Sequence, residues 1–568
     1  MARYSDSASP DEAVLIETDD FALVYDRRNR AFHKKLWNSS TKSWTTKVAP
    51  YSAIVCKDGS AVWAEDASGK TIASGEAGVD DASVIQSALD RSGLIHLSAG
   101  EFIAWNLKLK SYTILRGEGI GRTIIKAPKV STNGAVISVE DNIQYTKIED
   151  LTIDGNRAEQ SDISFLEVLH FSGANCRNHV VNNVELKGAF GAGDGIDIDE
   201  ASNILVSNCF AHDNAGNGFH PSIGCKNVFL VNCVAYNNDY CGFELYREPP
   251  SESVQLLNCL AYGNKDGFVI QGSYHALINC VSRENARWGF LLSGEGDTSV
   301  AEFLLINCQS IGDGNHGFYI IYNADKCTLI NCRAVNPGGS GFYAVSGDKL
   351  SLIGCRVEAP GDHAIRLDST APNGIISHCI VEGESDYDSI LIYANNVRVI
   401  GCSVFGGKRG IYLHGNDGCA EHCFVTGCYT GFMIYGDRNV LSHCYAIDNS
   451  SIGIQFFVGT ANKAIYGKVS GNPKNIEDTA TDTVIRRMEG YLTENSGAAT
   501  FSGDGATTQF SIAHGLVKAP SKVLVTPMTA DAAPDFYVTA DDTYIYINYL
   551  TAPASGTDNL KFSWYAEV

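Results

Sequence analysis

The fold of this chain is decided by the stretch 208–244, which has the sequence NCFAHDNAGNGFHPSIGCKNVFLVNCVAYNNDYCGFE. Two markers occur twice in it: an Asn-Cys pair, ending at Cys209 and Cys233, and a Gly-Phe pair, ending at Phe219 and Phe243. Both markers continue along the chain, and the cysteines stand 21 to 28 residues apart. A period of that size indicates stacked structural repeats. The recurring cysteines are Cys209, Cys233, Cys259, Cys280, Cys308, Cys332, Cys355, Cys379, Cys402, Cys423 and Cys444.

Between the markers, apolar and polar residues alternate with a period of two, and glycine turns separate the segments. This pattern predicts short β-strands, and no helical apolar period fits between the markers. A repeat of about 24 residues is also too short for a strand, a crossover helix and a return strand, so the coils must stack as a parallel β-solenoid. The phenylalanines and cysteines are then expected to form ladders inside the solenoid, and the asparagines a ladder at a corner.

The cysteines allow three interpretations: a disulfide scaffold, a metal site, or reduced thiols that pack in the core. The sequence has no pair of the CxxC type, and its one tight cluster, Cys419 with Cys423, has no matching second pair. Neighbouring rungs of a parallel sheet lie ~4.8 Å apart, and buried cysteine behaves as a small hydrophobe. We therefore predict reduced packing thiols.

Composition limits the partners that we expect. The chain has 568 residues and a net charge of -22, whereas nucleic acids and anionic membranes require basic patches, so neither is an expected partner. No run of 18 apolar residues exists, and the N-terminal sequence MARYSDSASPDEAVL lacks the basic and apolar segments of a signal peptide. We expect an extracellular or virion-associated protein that is exported by another route, such as assembly into a particle released by lysis.

Changes in composition divide the chain into three predicted regions. Residues 1–75 are rich in Trp, Tyr, Lys and Ser and predict a small N-terminal β module. Residues 76–488 predict an all-β solenoid, with an amphipathic helix at 80–90 that has an Asp at its N-cap and covers the first coil. Residues 489–568 alternate with the spacing of a C-terminal β-sandwich, for which the roles of cap, carbohydrate-binding module and oligomerisation module stay open.

The chemistry is expected on the outer face of the coils, because the ladders fill the inner face. The residue after each Gly-Phe or Gly-Ile pair points outward, and in three consecutive coils it is Asp197, His220 and Glu244. An alignment shift of two residues places His170 beside Asp197. The predicted catalytic residues are Asp197, Asp199, His220, Glu244 and Tyr246, and the predicted substrate-binding residues are His170, Arg247, Gln271, Tyr319 and Tyr343.

Strand geometry connects these side chains with a reaction. Asp197 and Asp199 are expected ~6.5 to 7 Å apart along one strand, and Asp197 and Glu244, two rungs apart, at ~9.6 Å. Both separations approach those of inverting glycosidases, in which one carboxyl protonates the leaving oxygen and another activates water. No cofactor is expected. The alternatives are a calcium ion held by Asp197, Asp199 and Glu200, or solvated charges without chemistry.

An exposed aromatic ladder is expected to continue along the same face. It comprises Tyr319, Tyr343, Tyr393, Tyr412 and Tyr435. Aromatic rings offer a sugar ring an apolar surface with a polar handle, and a long groove implies a polymer. The weaker candidates for a functional site also lie here: Arg366 with Asp368, and Tyr412 with His414.

Two segments resemble a known superfamily. Residues 80–89, DDASVIQSAL, and residues 115–125, LRGEGIGRTII, resemble the start of right-handed parallel β-helices of the pectate-lyase superfamily, which includes bacteriophage tailspikes and their depolymerases. The resemblance covers about residues 75–480 and implies a right-handed solenoid. The superfamily includes hydrolases, lyases, epimerases and non-catalytic members, so the reaction stays open. Residues 503–512 also resemble modules of viral and phage-derived fibre proteins.

Two strands resemble active-site strands within this superfamily. The sequence GDGIDI at 193–198 is similar to polygalacturonase-type hydrolases, but the Asp-Asp pair expected one coil later is absent. The sequence GFHP at 218–221 is similar to mannuronan C5-epimerases, whose strand is Tyr-Gly-Phe-Asp-Pro-His. Here His220 occupies the Asp position, Ser222 the His position and Asn217 that of the Tyr. Neither active site is complete.

Three hypotheses follow. A polysaccharide hydrolase would use Asp197, Asp199 and Glu244. A uronate lyase or C5-epimerase would abstract the C5 proton with His220 or Tyr246 while Arg247 neutralises the sugar carboxylate. A non-catalytic fibre or receptor-binding protein would use the groove for adhesion. The first is the primary prediction, with an acidic polysaccharide as the expected substrate, and a homotrimer is kept open as the assembly state.

Overall fold

The computed structural model describes residues 51–568 except 246–250, 295–300 and 385, together with the backbone of four N-terminal strands. These strands, Glu12–Glu17, Phe21–Asp26, Ala31–Asn38 and Ser43–Lys47, form an antiparallel sheet in chain order. The chain forms two compact units, Met1–Asp325 and Lys326–Val568. Within the described residues no helix is both long enough and apolar enough to cross a membrane.

The first unit is a parallel β-solenoid, which confirms the predicted fold class. One of its sheets takes a single strand from each coil and carries the predicted site. The strands of this sheet are Leu107–Lys108, Gly134–Val139, Phe165–Ser172, Phe190–Gly191, Ile196–Asp199, Phe219–Pro221, Cys241–Leu245, Asp266–Gln271, Phe290–Ser293 and Phe318–Ile321. Neighbours pair in parallel, except that Phe190–Gly191 pairs antiparallel with Phe165–Ser172.

The rest of each coil belongs to a second, larger sheet. Around the site its strands are Lys147–Asp154, Arg177–Lys187, Ser202–Ser207, Phe210–His212, Lys226–Val231, Val234–Tyr236, Gln255–Leu257, Leu260–Tyr262, His275–Ile278 and Val281–Arg283. The strands Ala53–Asp58, Ala61–Asp66 and Thr71–Glu76 also join this sheet, the first of them parallel to Gly93–Leu97. Each coil is therefore a closed turn of short strands, with one strand on the site sheet.

Stacked phenylalanines fill the interior beneath the site sheet. Ring centroids from Phe219 through Phe243, Phe268 and Phe290 to Phe318 are 4.9, 4.8, 4.7 and 4.8 Å apart, with nearly parallel planes. These distances match the ~4.8 Å between rungs of a parallel sheet, so each coil contributes one ring to a continuous stack. The five side chains are fully buried.

The cysteine and asparagine ladders also form as predicted. All eleven recurring cysteines are buried and unbridged. The Cys233 thiol donates to the Val206 carbonyl of the preceding coil, at 3.6 Å from sulfur to oxygen. At the corner, Asn232 Nδ2 donates to Asn208 Oδ1 at 3.2 Å, and Asn208 has a φ of 55°, a left-handed conformation that asparagine tolerates well.

The second unit consists of the same kind of coil and ends in two small antiparallel sheets. In the sheet that takes one strand from each coil, its strands are Phe342–Ser346, Ile365–Thr370, Ile390–Ile392, Arg409–Leu413, Thr430–Ile434, Ile452–Phe456 and Lys474–Asp478. The C-terminal sheets contain Glu494–Gly503, Gly556–Glu567 and Lys522–Pro527, and Gln509–Ala513, Tyr544–Tyr549 and Phe536–Ala540. Phe562, Ile545 and Ile547 lie in one apolar core that both sheets share.

The predicted helix is present as Asp81–Leu89, with Val84, Ile85 and Leu89 buried. The predicted Asp at its N-cap is also present. Asp80 stands at the N-cap, but its carboxylate accepts a hydrogen bond from the Glu76 amide instead of capping the helix. Asp81 is the buried acid, and its carboxylate accepts the Ile103 amide at 2.7 Å, which ties the helix to a neighbouring strand.

Candidate functional site

Strand register brings the predicted acidic and histidine side chains together. His170 pairs with Asp197, and Asp197 pairs with His220, in adjacent parallel strands. Phe219 pairs with Phe243, which places Glu244 in the next coil beside His220. Because the intervening phenylalanines face the core, these four side chains project from the outer face. The alignment shift that placed His170 beside Asp197 is confirmed.

His220 is held by an acid that the sequence analysis did not place in the site. Its Nδ1–H donates to Asp194 Oδ2 at 2.6 Å, and Asp194 is 4% exposed. Two further hydrogen bonds hold Asp194 in place. Its Oδ1 accepts from the backbone N–H of Asn217, and its backbone N–H donates to Glu167 Oε2, each at 2.5 Å. The buried carboxylate therefore fixes the orientation of the His220 ring.

Two further carboxylates lie beside the same imidazole. His220 Nδ1 is 3.4 Å from Asp197 Oδ1, and His220 Nε2 is 3.8 Å from Glu244 Oε2. Asn217 Nδ2 donates to Glu244 Oε2 at 2.8 Å, which holds that carboxylate near the ring. His220 thus stands between Asp197 and Glu244 with Asp194 behind it.

The surrounding acids change the protonation of His220. Burial alone would lower its pKa, but the charge and hydrogen bond of Asp194, with the charge of Asp197, raise the pKa well above its ordinary value. The ring is therefore an imidazolium at neutral pH. An imidazolium next to several carboxylates offsets their mutual repulsion and supplies a proton at the outer face.

The carboxyl groups of the cluster have clearly different pKa values. Burial, together with repulsion from Asp194 and Asp199, raises the pKa of Asp197 to about 7, although His220 opposes the shift. Burial, with repulsion from Asp194 and Asp197, raises the pKa of Glu167 to about 9. Glu167 is therefore protonated at neutral pH, while Asp197 exchanges its proton there. Such separation of pKa values is typical of sites that move protons, although structural clusters also produce it.

His170 belongs to the cluster as an ion-pair partner. Its Nε2–H donates to Asp199 Oδ2 at 3.2 Å and lies 3.9 Å from Asp197 Oδ2. Burial opposes the charged ring, but the bond to Asp199 and the two carboxylate charges raise the pKa of His170. For Asp199 burial acts in the opposite direction, and the bond from His170 nevertheless lowers its pKa. These opposite shifts favour the ionised form of the pair.

Two groups of side chains have ligand atoms close enough to share a metal ion. They are His170, Asp197 and Asp199, and Asp194, Asp197 and His220, with ligand atoms within 4.8 Å of one another. Each group includes a histidine, whereas calcium prefers oxygen ligands throughout. These donor sets suit the ion pairs better than they suit calcium.

The structure places the other predicted residues unevenly. Tyr246 and Arg247 lie outside the described residues. Gln271 ends the strand Asp266–Gln271, half-buried, in register with Ser293. Tyr319 is half-buried, with its ring 5.5 Å from Trp288.

The predicted exposed aromatic ladder beyond Glu244 is confirmed only in part: Tyr393 and Tyr435 are each 36% exposed, but other outward positions are covered. Val269 and Leu291 occupy the next outward positions, but they are 4% and 6% exposed and pack with Cys241. Apolar side chains at outward positions bury each other where no charged group separates them. Two of the predicted ladder tyrosines lie in the second unit and also depart from the prediction. Tyr412 is 5% exposed under the Arg409 guanidinium, and Tyr343 donates its hydroxyl to Asp368 at 2.7 Å.

Asp194 and Glu167 could not be predicted from the sequence, for different reasons. Asp194 precedes the glycine that opens its strand, so counting outward positions from the Gly-Ile pair could not include it. The similarity of 193–198 to a hydrolase strand was the available signal. Glu167 lies on the same face of its strand as the core residues Leu169 and Phe171, a position where an acid is not expected.

Comparisons with known proteins agree with the fold. A family model described as "Right handed beta helix region" matches residues 133–305 and 267–420. The mannuronan C5-epimerase AlgE1 of Azotobacter vinelandii is 33% identical over 193 residues, which is 30% of this chain and 14% of that protein. The matched segment therefore spans about a seventh of the relative's length.

Several solved structures are similar at low identity. The A-module of the A. vinelandii mannuronan C-5 epimerase AlgE4 is 18% identical, with a TM-score of 0.37 over 72% of this chain and 94% of that one. The N-terminal fragment of bacteriophage phi29 gene product 12 is 13% identical, with a TM-score of 0.41 over 72% and 91%. The tailspike of the E. coli bacteriophage HK620, solved with a pentasaccharide, is 12% identical, with a TM-score of 0.39 over 89% and 92%.

Proposed function

Because this chain belongs to the right-handed β-helix family, we propose that its outward cluster is the active site of a polysaccharide-modifying enzyme that works by proton transfer. One observation carries the proposal: the His220 imidazole lies 2.6, 3.4 and 3.8 Å from oxygens of Asp194, Asp197 and Glu244. The site combines an oriented imidazolium with a carboxyl that titrates near neutral pH. Efficient acid-base catalysts have pKa values near the working pH.

The substrate class that we propose is a polymer of uronic acids. The curated relative is named a mannuronan C5-epimerase, so polymannuronate is the first substrate to test. A chain with a net charge of -22 repels such a polymer overall, and the local cations therefore matter. The acidic neighbours raise the pKa of both His170 and His220, which makes these two rings the cationic groups of the cluster that can face a sugar carboxylate.

The proposed reaction begins with removal of the C5 proton, which lies next to the sugar carboxylate. Asp197 in its ionised form accepts this proton, and the electron pair moves into the sugar carboxylate. The His220 imidazolium stabilises the added negative charge, because it is already oriented by Asp194 and needs no rearrangement. Return of a proton from water to the opposite face of C5 gives the epimer, and Asp197 then releases the proton it accepted to solvent. In the lyase reaction, Asp197 instead passes that proton to O4 as the C4–O4 bond breaks, which expels the linked sugar as an alcohol and leaves the unsaturated product.

Hydrolysis is the second candidate, and Asp197 is the observation that favours it. A general acid must be protonated near neutral pH, as a pKa of about 7 allows. The second carboxylate would then be Glu244, but the imidazole of His220 stands between the two acids, 3.4 Å from one and 3.8 Å from the other. An inverting hydrolase needs that space for the glycosidic oxygen and a water molecule. The geometry therefore supports C5 chemistry more strongly.

The test follows hydrogen at C5. The full chain is incubated in D₂O with polymannuronate, polygalacturonate and a neutral mannan, and deuterium at C5 is measured by NMR. Ultraviolet absorbance of unsaturated sugars and the release of reducing ends are recorded in parallel. We expect deuterium at C5 of an acidic polymer, and we expect the Asp197→Asn and His220→Asn variants to lose at least about 10²-fold in rate.

The matched control is His443→Asn, which removes an exposed imidazole in the second unit and should leave the rate unchanged. Reducing ends without deuterium or new absorbance would establish the hydrolase. No change in any polymer would leave the non-catalytic fibre as the better hypothesis. The homotrimer and the extracellular or virion-associated location stay predictions, and analytical ultracentrifugation of the full chain tests the first.

A further inference from the structure

The second unit carries a row of aromatic side chains on consecutive coils, well suited to bind a ligand. The row consists of Tyr393, His414, Tyr435 and Phe457, here called the aromatic strip. Each residue directly follows a strand of the sheet that takes one strand from each coil. Each backbone N–H donates to a carbonyl oxygen of the preceding coil at 2.8 to 3.0 Å. Ring centroids along the strip are 4.7, 4.4 and 6.0 Å apart. Three rung spacings give it a length of about 14 Å.

The strip is exposed although it is apolar. Tyr393 and Tyr435 are each 36% exposed, and Phe457 is 44% exposed. With about 200 Å² for each aromatic side chain, these three rings present roughly 230 Å². A stable protein interface needs about 800 Å² on each partner, so the strip alone is too small for a second protein. A narrow ligand that touches one ring per coil fits its dimensions.

An arginine stands at one end of the strip with most of its donors available. The Arg366 guanidinium lies over the Tyr343 ring at 4.7 Å and over the Tyr393 ring at 5.9 Å. Its Nε donates to Asp368 at 2.9 Å, and across the described part of the chain this is the one hydrogen bond of the side chain. A guanidinium has five N–H donors, so four remain for oxygens of a ligand. The two rings and Asp368 fix the group before any ligand arrives.

We propose that Arg366 and the aromatic strip form a second, non-catalytic binding site for an anionic oligosaccharide. Arginine binds carboxylates through paired N–H donors, and aromatic rings pack against the C–H surface of sugars. Burial and the nearby Arg409 lower the pKa of His414, so its ring is neutral at neutral pH and suits an apolar contact. The proposal shares its ligand class with the proposed function, but none of its residues.

The experiment measures binding of an oligomannuronate and of a neutral manno-oligosaccharide of equal length to the full chain by isothermal titration calorimetry. We expect Arg366→Gln to weaken binding of the acidic oligomer roughly tenfold or more, and to leave the weaker binding of the neutral one unchanged. Tyr435→Ala should weaken the binding of both. Phe405→Ala, which removes a 43% exposed ring from the larger sheet of the same unit, is the matched control and should change neither.

The variants also separate this proposal from the active site. His220→Asn should retain the binding that Tyr435→Ala loses. If Arg366→Gln and Tyr435→Ala bind like the wild type, the strip is no binding site, whatever the C5 assay shows. If Tyr435→Ala instead changes the oligomeric state on gel filtration, the strip contacts a second copy of the chain, and the saccharide proposal is wrong. Strip binding without any C5 exchange would support the strip and overturn the proposed reaction.

Discussion

Replacing Asp194 with asparagine isolates the role of the buried acid. In the Asp194→Asn variant the side-chain amide keeps an oxygen at the position of Oδ1 to accept the Asn217 amide, so the local backbone bond survives. At the position of Oδ2, however, an NH₂ group would face His220 Nδ1, where the wild type has an acceptor at 2.6 Å. The imidazole can then accept at Nδ1 only in its neutral form, with its proton on Nε2. The substitution therefore removes the imidazolium without opening a cavity.

The size of the effect follows from the lost interaction. A hydrogen bond between charged groups contributes about 1.5–3 kcal/mol, which lowers the ratio of imidazolium to imidazole about 10- to 150-fold. Because the pKa of His220 is raised in the folded protein, this bond stabilises the fold fully below the unfolded pKa and loses its effect as pH rises through the folded pKa. The stability gap between wild type and Asp194→Asn should therefore close towards alkaline pH.

The assay is an NMR titration of the His220 ring, with turnover and urea unfolding measured over the same pH range. We expect a lower pKa of His220 in Asp194→Asn and a loss of turnover of about 10²-fold. Asp213→Asn is the matched control, because Asp213 accepts from His212 Nδ1 at 2.8 Å but is exposed. It should move the His212 titration slightly and leave His220 unchanged. An unaltered His220 titration in Asp194→Asn would refute the proposed role.

Three further predictions concern the interior. Glu167 has a pKa of about 9, so between about pH 4.3 and pH 9 it holds a proton that the unfolded chain has lost. The free energy of unfolding of the wild type should therefore fall as pH rises through this range. The Glu167→Gln variant should show a smaller fall when urea unfolding is measured at several pH values. Phe268→Ala interrupts the phenylalanine stack and should cost about 3–5 kcal/mol in free energy of unfolding. In the folded protein, a thiol reagent should react only with Cys56 and Cys419, the two cysteines that are not buried, and slowly even there, because burial raises the pKa of both thiols.

Each of these has an outcome that would contradict it. Equal destabilisation by Glu167→Gln at all pH values would mean that the acid is ionised in the folded state. A cost for Phe268→Ala no larger than that of Phe210→Ala, whose ring is 40% exposed, would mean that the stack adds little stability. Rapid reaction at Cys233 would place part of the cysteine ladder outside the core.

The repeating part of the structure could be predicted because its causes repeat. Phe219, Phe243 and Phe268 each follow a glycine at the same point of a coil, and burial of one ring against the next requires the same residue type every time. The repeat in the sequence therefore determines which residues of neighbouring coils pair. The same counting rule placed His170, Asp197 and His220 in line, since any residue at an equivalent position in the coil lies on the same row.

The rest of the site could not be predicted because its residues do not repeat. Asp194 lies in the turn before a strand, and its carboxylate reaches His220 of the next coil, a contact that no alternation rule describes. The burial of Tyr412 depends on the Arg409 side chain that covers it, and not on its position in the strand. Contacts between neighbouring turns cannot be predicted from the repeat period, because turn geometry varies from one coil to the next.

The periodic residues of this protein provide its stability, and the non-periodic residues form its candidate site. The inner ladders bury their apolar side chains within each coil and against its neighbours, so stability is a sum over coils. An outward side chain adds little to that sum and is free to differ from coil to coil. Acids can therefore accumulate beside His220 without destroying the fold, provided that the imidazolium and the proton on Glu167 offset their repulsion. A cluster of this kind is best found where the outward rows stop repeating.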